Sequence, residues 1–261
     1  MMKTGTLKGY VLLVFFFFFM ILSAAAVKAE SEREGDPKYI FYKANTLYEE
    51  GKYDEAISEY SKLFLQGIES GNLYYNLGNS YFKKGELGMA VLNYERAKRL
   101  VPRDSDLKSN YRFALSRMKS NLSETSRPWF KKAAAVFDTL TINEMTVMLS
   151  SVFVVIILFF IVRLYVNISG RNSLIFVSLS VVVFGIVAFS LFSRISILDR
   201  EAVVVSESAE VRFEPFENAT THFTLYEGIK IEIVHSRKEW MKVRRPDGKI
   251  GWIKSQAAEK I

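Results

Sequence analysis

The stretch that decides the fold of this chain lies at residues 74–102 and reads YYNLGNSYFKKGELGMAVLNYERAKRLVP. Much of it repeats an earlier stretch. Four pairs of small or aromatic residues lie 34 positions apart, namely Ala44 and Gly78, Gly51 and Gly85, Ala56 and Ala90, and Tyr60 and Tyr94. This period, with small and aromatic residues at helical spacing, is typical of stacked helix-turn-helix units. Small residues let paired helices approach closely, and a glycine ends the first helix of each unit.

The second unit resembles a tetratricopeptide repeat in the residues that carry that motif, with Tyr74 where Trp is usual: Leu77, Gly78, Tyr81, Ala90, Tyr94, Ala97 and Pro102. The first unit keeps only part of the pattern, with Ala44, Ala56 and Tyr60 in place. We therefore predict that residues 36–118 form an all-α tetratricopeptide array of two repeats, closed by a capping helix over residues 106–118. The basic run over residues 83–99 is interpreted as a solvated helix face, or as one pole of an electrically polar array.

The resemblance implies a peptide-binding groove, because the first helix of each tetratricopeptide unit faces a concave surface. The candidate groove residues are polar or aromatic side chains of these helices: Asn45, Tyr75, Asn76, Asn79, Phe82 and Lys83. In the family, asparagines at the positions of Asn45 and Asn76 often clamp a bound peptide. The alternative for Tyr75 and Phe82 is packing against the capping helix.

Three apolar segments organise the rest of the chain. Residues 11–26 follow Lys3 and Lys8 and precede a small-residue stretch, so residues 1–29 are predicted to be a signal peptide, with an uncleaved anchor as the alternative. Residues 145–166 and 173–195 are each long enough to cross a hydrocarbon core of about 30 Å. The short connector between them predicts an antiparallel transmembrane hairpin.

The hairpin places residues 30–144 and 196–261 on one side of the membrane, and export of the first part makes that side extracytoplasmic. Residues 127–144 combine Trp129 and Phe130 with Lys131 and Lys132. This pattern predicts an amphipathic linker lying on the bilayer, with a plain linker helix as the alternative.

From residue 201 onward the apolar period changes from helical to alternating, and turn residues separate five short runs. We predict a small all-β barrel over residues 201–258. The sequence resembles a bacterial SH3 domain in Val211, Arg212 and Pro215 and in the runs LYEG (225–228), WMKV (240–243) and DGKIGWI (247–253). The candidate ligand groove of this domain is lined by the aromatic residues Phe213, Phe216, Tyr226 and Trp240. His222 and His235 are interpreted as loop or surface residues.

The composition of the chain excludes several kinds of catalytic and metal-binding site. The chain has no Cys and two His, so it offers no thiolate nucleophile or His-rich metal site. Its net charge of +7 lies beside the apolar segments, while residues 30–126 and 199–261 are each neutral, which does not favour nucleic-acid binding. The sequence carries no phosphate loop, metal-ligand spacing or nucleophile motif. We therefore expect no enzymatic activity, no cofactor and no metal.

The order of signal peptide, tetratricopeptide array, transmembrane hairpin and SH3-like domain resembles the BatE proteins of the Bacteroides aerotolerance operons. The resemblance implies a multi-pass protein of the bacterial inner (cytoplasmic) membrane. It also implies partners, namely other membrane or envelope proteins such as von Willebrand A-type subunits and a MoxR-type ATPase, and a role in tolerance of oxidative or envelope stress. From two interaction folds on one face of a membrane we predict a non-enzymatic adaptor. The alternative is a cell-wall sensor whose SH3-like domain binds peptidoglycan peptides.

Overall fold

The computed structural model of the protein describes residues 35–119, 137–166 and 169–261. The predicted signal peptide and residues 127–136 of the predicted linker lie outside these ranges.

A first helical hairpin consists of α1 (Pro37–Glu49) and α2 (Tyr53–Leu65). Asp36 caps α1, because its carboxylate accepts a hydrogen bond from the backbone N–H of Lys38 at 3.1 Å. Gly51 adopts a φ of +77° in the turn between the helices, a conformation that favours glycine. The buried interior of the hairpin consists of Ile40, Ala44, Ala56, Tyr60 and Leu63.

A second hairpin consists of α3 (Gly71–Lys84) and α4 (Leu87–Leu100), and α5 (Ser105–Ser116) follows it. Ser70 and Asp104 cap α3 and α5 through their side-chain oxygens. Gly78 permits close packing of α3 on α4, since a Cβ atom there would lie 2.8 Å from the ring of Tyr94. Gly85 adopts a φ of +93° in the turn between α3 and α4, a conformation that favours glycine. The helical architecture predicted for this part of the chain is confirmed.

Two long apolar helices follow, α6 (Ile142–Tyr165) and α7 (Gly170–Leu198). Their most apolar windows have mean hydropathies of 2.9 and 2.7, and only 6% of each window is buried. Both are long and apolar enough to cross a membrane. Thr141 and Glu144 form a capping box that starts α6 three residues before the predicted boundary. The rings of Phe159 and Phe176 stack between the two helices at 4.1 Å.

The remaining chain forms an antiparallel sheet of seven strands: β1 (Glu201–Val204), β2 (Ser208–Arg212), β3 (Thr221–Tyr226), β4 (Lys230–Arg237), β5 (Trp240–Arg244), β6 (Ile250–Lys254) and β7 (Ala258–Lys260). The strand order is β3-β2-β6-β5-β4-β1-β7. Alternate residues are buried in β2, β5 and β6, as expected for strands with one apolar face. The core consists of Ala202, Val204, Ala209, Val211, Leu225, Ile229, Ile231, Ile233, Met241, Val243, Ile253, Ala257 and Ala258.

The prediction of five strands was wrong, because the sheet also contains β3 and β7. In β3 the apolar residues Phe223 and Leu225 alternate with Thr224, but only Leu225 is buried and Phe223 packs against the core from a partly buried position. β7 has three residues and follows a short 3-10 turn at Ser255–Ala257. Each missed strand thus contains a single buried residue, Leu225 in β3 and Ala258 in β7.

Candidate interaction surfaces

In the first hairpin, Asn45 lies in α1 and its side-chain oxygen accepts a hydrogen bond from the hydroxyl of Tyr60 at 2.6 Å. Tyr60 is buried in α2. The predicted groove residue therefore also joins the two helices of its own hairpin. Its role in binding a peptide stays a prediction.

The second hairpin repeats this bond between Asn79 and Tyr94, at 2.7 Å. The amide of Asn110 on α5 donates to Asn79 at 3.0 Å and to the hydroxyl of Tyr75 at 2.9 Å. The 34-residue period makes Asn79, not Asn76, the counterpart of Asn45. The structure thus brings Tyr75 and Asn79 together at the contact between α3 and α5.

Phe82 and Lys83 lie in the last turn of α3. The ring of Phe82 contacts Phe113 of α5 at 5.5 Å, and the guanidinium of Arg117 lies 4.9 Å from the Phe113 ring. Phe113 is 49% exposed, and Lys83 is exposed. Tyr75 and Phe82 both contact α5, which is the alternative stated for them. Beside them, Phe113 and Lys83 form an accessible surface that is apolar and positively charged.

On the sheet, Phe216 and Trp240 line one groove of about 630 Å³ together with Glu214, Pro215, Arg237, Lys238 and Glu239. Lys238 has a φ of +50°, which is uncommon for a residue other than glycine, and it lies in the two-residue turn between β4 and β5. The guanidinium of Arg212 lies 5.8 Å from the Trp240 ring. Two of the four predicted aromatic residues therefore share a concave surface.

The other two predicted aromatic residues do not line this groove. Phe213 stacks on His222 with ring centroids 4.3 Å apart. Tyr226 pairs with Ser208, at the opposite end of the β2–β3 ladder from Arg212. Both His222 and His235 are exposed, and both lie in strands rather than in loops.

A charged junction that the sequence did not predict joins α4 to the sheet. Glu95 of α4 is 5% exposed and forms an ion pair with Lys230 of β4 at 3.3 Å. Lys230 also pairs with Glu201 of β1 at 2.9 Å, and the hydroxyl of Tyr111 donates to Glu95. Burial alone would raise the pKa of Glu95, but the nearby Lys230 and Lys98 and the Tyr111 hydroxyl hold that pKa below its ordinary value.

Two arginines extend this junction along α4. Arg96 donates to the carboxylate of Glu259 and to the backbone carbonyl of Lys260, both at 2.7 Å. Arg99 donates to the backbone carbonyl of Ile261 at 2.5 Å and to Glu201 at 3.3 Å. The interpretation of this basic run as a solvated face is therefore wrong for Arg96 and Arg99, because their partners lie more than 100 residues later in the chain.

The C-terminal end of α4 and the turn that follows it contact both apolar helices. Arg99 donates to the carbonyl of Leu198, the last residue of α7, at 3.3 Å. Arg103 pairs with Glu144 in the first turn of α6. Arg194 of α7 donates to the carbonyls of Phe137 and Leu140, which precede α6, at 2.8 and 2.6 Å. The start of α6 and the end of α7 therefore both lie beside the second hairpin.

Within residues 35–119, 137–166 and 169–261, no group of three or more His, Cys, Asp or Glu side chains is arranged to hold a metal ion. The surfaces that the structure does offer are aromatic and charged, and suit contact with another macromolecule.

Comparison with known proteins identifies the second hairpin. A family model described as a tetratricopeptide repeat matches residues 71–104. The human protein "Tetratricopeptide repeat protein 16" is 32% identical over 92 residues, which cover 35% of this chain and 10% of that protein. Its Macaca fascicularis namesake is 30% identical over 92 residues, with the same coverage. The similarity thus spans about a tenth of the length of these relatives. Residues 71–104 are a tetratricopeptide repeat, a unit that typically mediates protein–protein interaction.

Proposed function

We propose that this protein is a membrane-anchored, non-enzymatic adaptor whose tetratricopeptide repeats and C-terminal sheet bind envelope proteins. The observation that carries the proposal is the position of the repeat of residues 71–104. Its second helix is fixed to the sheet through Glu95 and Lys230, and its end lies beside Glu144 and Leu198 of the apolar helices. An interaction module, a second folded module and a membrane anchor thus meet in one place.

A bilayer is the environment that suits α6 and α7. At about 1.5 Å per residue, helices of 24 and 29 residues exceed a hydrocarbon core of about 30 Å. Only 6% of the residues in their most apolar windows are buried, whereas a core helix of a soluble protein is mostly buried. Water would make such exposure unfavourable, whereas lipid tails would cover it. We therefore propose that both helices span the membrane.

The contacts at the helix ends support a topology with both modules on one side. Arg103 contacts the beginning of α6 and Arg99 contacts the end of α7, so the chain enters and leaves the hairpin beside the same repeat. Together with the predicted signal peptide, this arrangement favours an extracytoplasmic location for both modules in a bacterial inner membrane.

We further propose that the sheet is an SH3-like barrel. Strand β2 pairs with both β3 and β6, and β4 pairs with both β1 and β5, which gives short antiparallel strands around one apolar core. Val211 packs so close to Gly251 that a Cβ atom at residue 251 would clash with its side chain. This close approach suits the tight packing of a small barrel and accounts for glycine at position 251.

The partners proposed for the repeat are those that the resemblance to BatE proteins implies, above all membrane-anchored von Willebrand A-type subunits. The contact surface would include Phe82, Lys83 and Phe113, which combine exposed apolar area with positive charge. Such a surface suits a partner segment that carries an acidic and an apolar side chain.

The test is binding of the full-length protein in detergent to a purified von Willebrand A-type subunit. We expect the double variant Phe82→Ala, Lys83→Glu to weaken binding at least about tenfold, the size of an interface hot spot. The control variant Lys254→Ala removes a charge from the sheet and should bind normally. Asn45 and Asn79 are poor test positions because each accepts a tyrosine hydroxyl inside its hairpin. Unchanged binding by the double variant would contradict the proposed surface.

A second candidate function, sensing of peptidoglycan peptides, is favoured by the groove between Phe216 and Trp240. Aromatic walls with cationic and acidic residues at the rim suit a short peptide that carries both charges. Co-sedimentation of the full-length protein with purified cell wall tests this function. We expect Phe216→Ala to abolish sedimentation and Phe213→Ala, which lies outside the groove, to leave it unchanged. Wild-type protein that stays in solution would exclude this candidate.

A further inference from the structure

The junction between α4 and the sheet comprises Gly88, Glu95, Arg96 and Arg99 with their partners in the sheet. Helical spacing puts these four residues on one side of α4. Their partners come from the loop before β4 and from β1, β4 and β7, so the contact gathers strands from the far end of the chain. The junction therefore holds one helix of the repeat against several strands at once.

Gly88 marks the closest approach. A Cβ atom at this position would lie 2.8 Å from the carbonyl oxygen of Val204 and 2.9 Å from the Cα of Val205. These are backbone atoms, which cannot move aside cheaply. The backbone N–H of Gly88 donates to the carboxylate of Glu227 at 3.0 Å. Since an amide in the first turn of a helix has no acceptor within that helix, this bond exists only while α4 is docked.

Arg99 joins the junction to the anchor. One guanidinium bonds to the carbonyl of Leu198 at the end of α7, to Glu201 at the start of β1 and to the carbonyl of Ile261. A rotation of α4 relative to the sheet would have to break these bonds or carry α7 with it. Three ion pairs cross the junction, and polar contacts of this kind are common in interfaces between the domains of one chain, where relative movement is the default expectation.

We propose that this junction is a reversible coupling device that transmits movement of the tetratricopeptide repeat to α7. In the closed state seen in the structure, the second hairpin, the sheet and the end of α7 move together. In an open state, Glu95 and Arg99 are released and the second hairpin moves independently of the anchor. The coupling rests on the proposed function in two respects, since α7 is taken as the membrane anchor and a bound partner supplies the force. The junction itself needs no partner.

The first test uses the Gly88 amide as a reporter of opening, by hydrogen–deuterium exchange NMR of the full-length protein in detergent micelles. The Ala90 amide is the internal reference, because it donates to the carbonyl of Glu86 near its own helix end. We expect Glu95→Gln to accelerate exchange at Gly88 about tenfold, the factor that one weakened charged hydrogen bond produces. Exchange at Ala90 should not change. The matched control is Glu59→Gln, whose carboxylate pairs with Lys43 and Lys62 of its own hairpin.

A second variant tests the junction without removing a charge. Gly88→Ala should stabilise an isolated helix, because Ala is the better helix former. In the docked protein its Cβ atom meets backbone, so the exchange of the residue-88 amide should rise. Gly185→Ala, at a helical glycine with no neighbour within 4 Å, is the control and should have no such effect. Unchanged exchange at residue 88 in both Glu95→Gln and Gly88→Ala would overturn the proposal, as would equal acceleration at residues 88 and 90.

The coupling to α7 is measured separately, by the distance between spin labels at Asn72 and Arg171. The chain has no cysteine, so cysteines introduced at these exposed positions are the only labelled sites. We expect a single narrow distance distribution that broadens in Arg99→Gln and not in the control Lys108→Gln, at an exposed position of α5. Equal widths in all three proteins would show that α7 is not coupled. Because no partner is present in these measurements, a negative result leaves the adaptor function standing.

Discussion

The two helical hairpins share one internal design but satisfy their charges differently. Each joins its helices through a tyrosine hydroxyl and an asparagine side chain, Tyr60 with Asn45 and Tyr94 with Asn79. In the first hairpin the buried Glu59 pairs with Lys43 and Lys62 at 2.8 Å, all within the same hairpin. In the second, Glu95 pairs with a lysine 135 residues later.

Two equivalent positions make the contrast clear. Lys62 and Arg96 lie 34 residues apart and so occupy the same place in the repeat. Lys62 bonds to Glu59 one turn earlier, whereas Arg96 bonds to Glu259 on β7. The repeat pattern therefore dictates the packing inside each hairpin, and the residues outside that pattern decide what the hairpin contacts.

The largest expected effect distinguishes a distant ion pair from a local one. Lys230→Met leaves Glu95 buried beside fewer positive charges. We expect the free energy of unfolding to fall by about 3 kcal/mol. This value is at the low end of the range for a broken buried ion pair, because Lys230 is partly exposed. Lys62→Met leaves Lys43 beside Glu59 and should cost about 0.5 kcal/mol, as for a surface pair. Urea unfolding followed by far-UV circular dichroism in detergent compares the two. Equal losses would contradict the contrast between the hairpins.

The next effect concerns the small residue at the helix crossing, which is Ala44 in the first hairpin and Gly78 in the second. Gly78→Ala brings a Cβ atom against the Tyr94 ring, and we expect a loss of about 2 kcal/mol through overpacking. Ala44→Gly replaces a buried Ala in a helix and should lose about 1 kcal/mol. The same unfolding measurement applies. Stabilisation by Gly78→Ala would show that the ring of Tyr94 moves aside easily.

An intermediate effect is expected in acid. Glu95 has a pKa held below the ordinary value of 4.5, after the opposing effect of its burial, by Lys230 of β4, Lys98 of α4 and Tyr111 of α5. A carboxylate with a lowered folded-state pKa stabilises the fold above its unfolded pKa, and this contribution is lost as the pH falls through the folded value. The urea midpoint of the wild type should therefore approach that of Glu95→Gln below about pH 4. A constant gap between the two proteins from pH 7 to pH 3 would contradict this assignment.

The ion pair of Glu95 and Lys230 also sets the highest pH at which it stabilises the fold. Burial would lower the pKa of Lys230, but Glu95 and Glu201 together raise it above its ordinary value of 10.5. A raised folded-state pKa contributes stability below the unfolded pKa that is lost as the pH rises through the folded value. The ion pair is therefore complete throughout the neutral range, and the junction is not a switch at physiological pH.

The smallest effect should be the same in both hairpins. Tyr60→Phe and Tyr94→Phe each remove one buried hydroxyl and its bond to asparagine, and we expect a loss of about 1 kcal/mol in each case. The comparison of urea midpoints checks this shared design. A loss confined to one hairpin would show that the asparagine and tyrosine pair has different roles in the two.

The helical half of the fold could be predicted because its signals are local. Small residues at the crossing of two helices, a glycine after the first helix and capping side chains lie close together in sequence and act through near neighbours. The apolar lengths of α6 and α7 are equally local signals. The first apolar helix begins three residues before its predicted start, because Thr141 and Glu144 form a capping box there.

The interaction surfaces were less predictable, since their geometry depends on partners distant in sequence. Phe216 and Trp240 meet in a groove because the loop after β2 lies beside the β4–β5 turn. Phe213 and Tyr226 are also aromatic but do not line this groove. From the sequence, the basic residues Arg96 and Arg99 are interpreted as part of a solvated face. The spacing of residues within a helix carries no information on strands more than 100 residues away.

The apolar helices α6 and α7 lie between α4 and β4 in the sequence, and this imposes an order on the assembly of the junction. Glu95 is synthesised before α6 and α7, and its partner Lys230 after them. On the proposed topology, in which both helices span the membrane, this contact closes only after both α6 and α7 have been inserted. Pairing of Glu95 with Lys230 would then mark a chain whose insertion is complete.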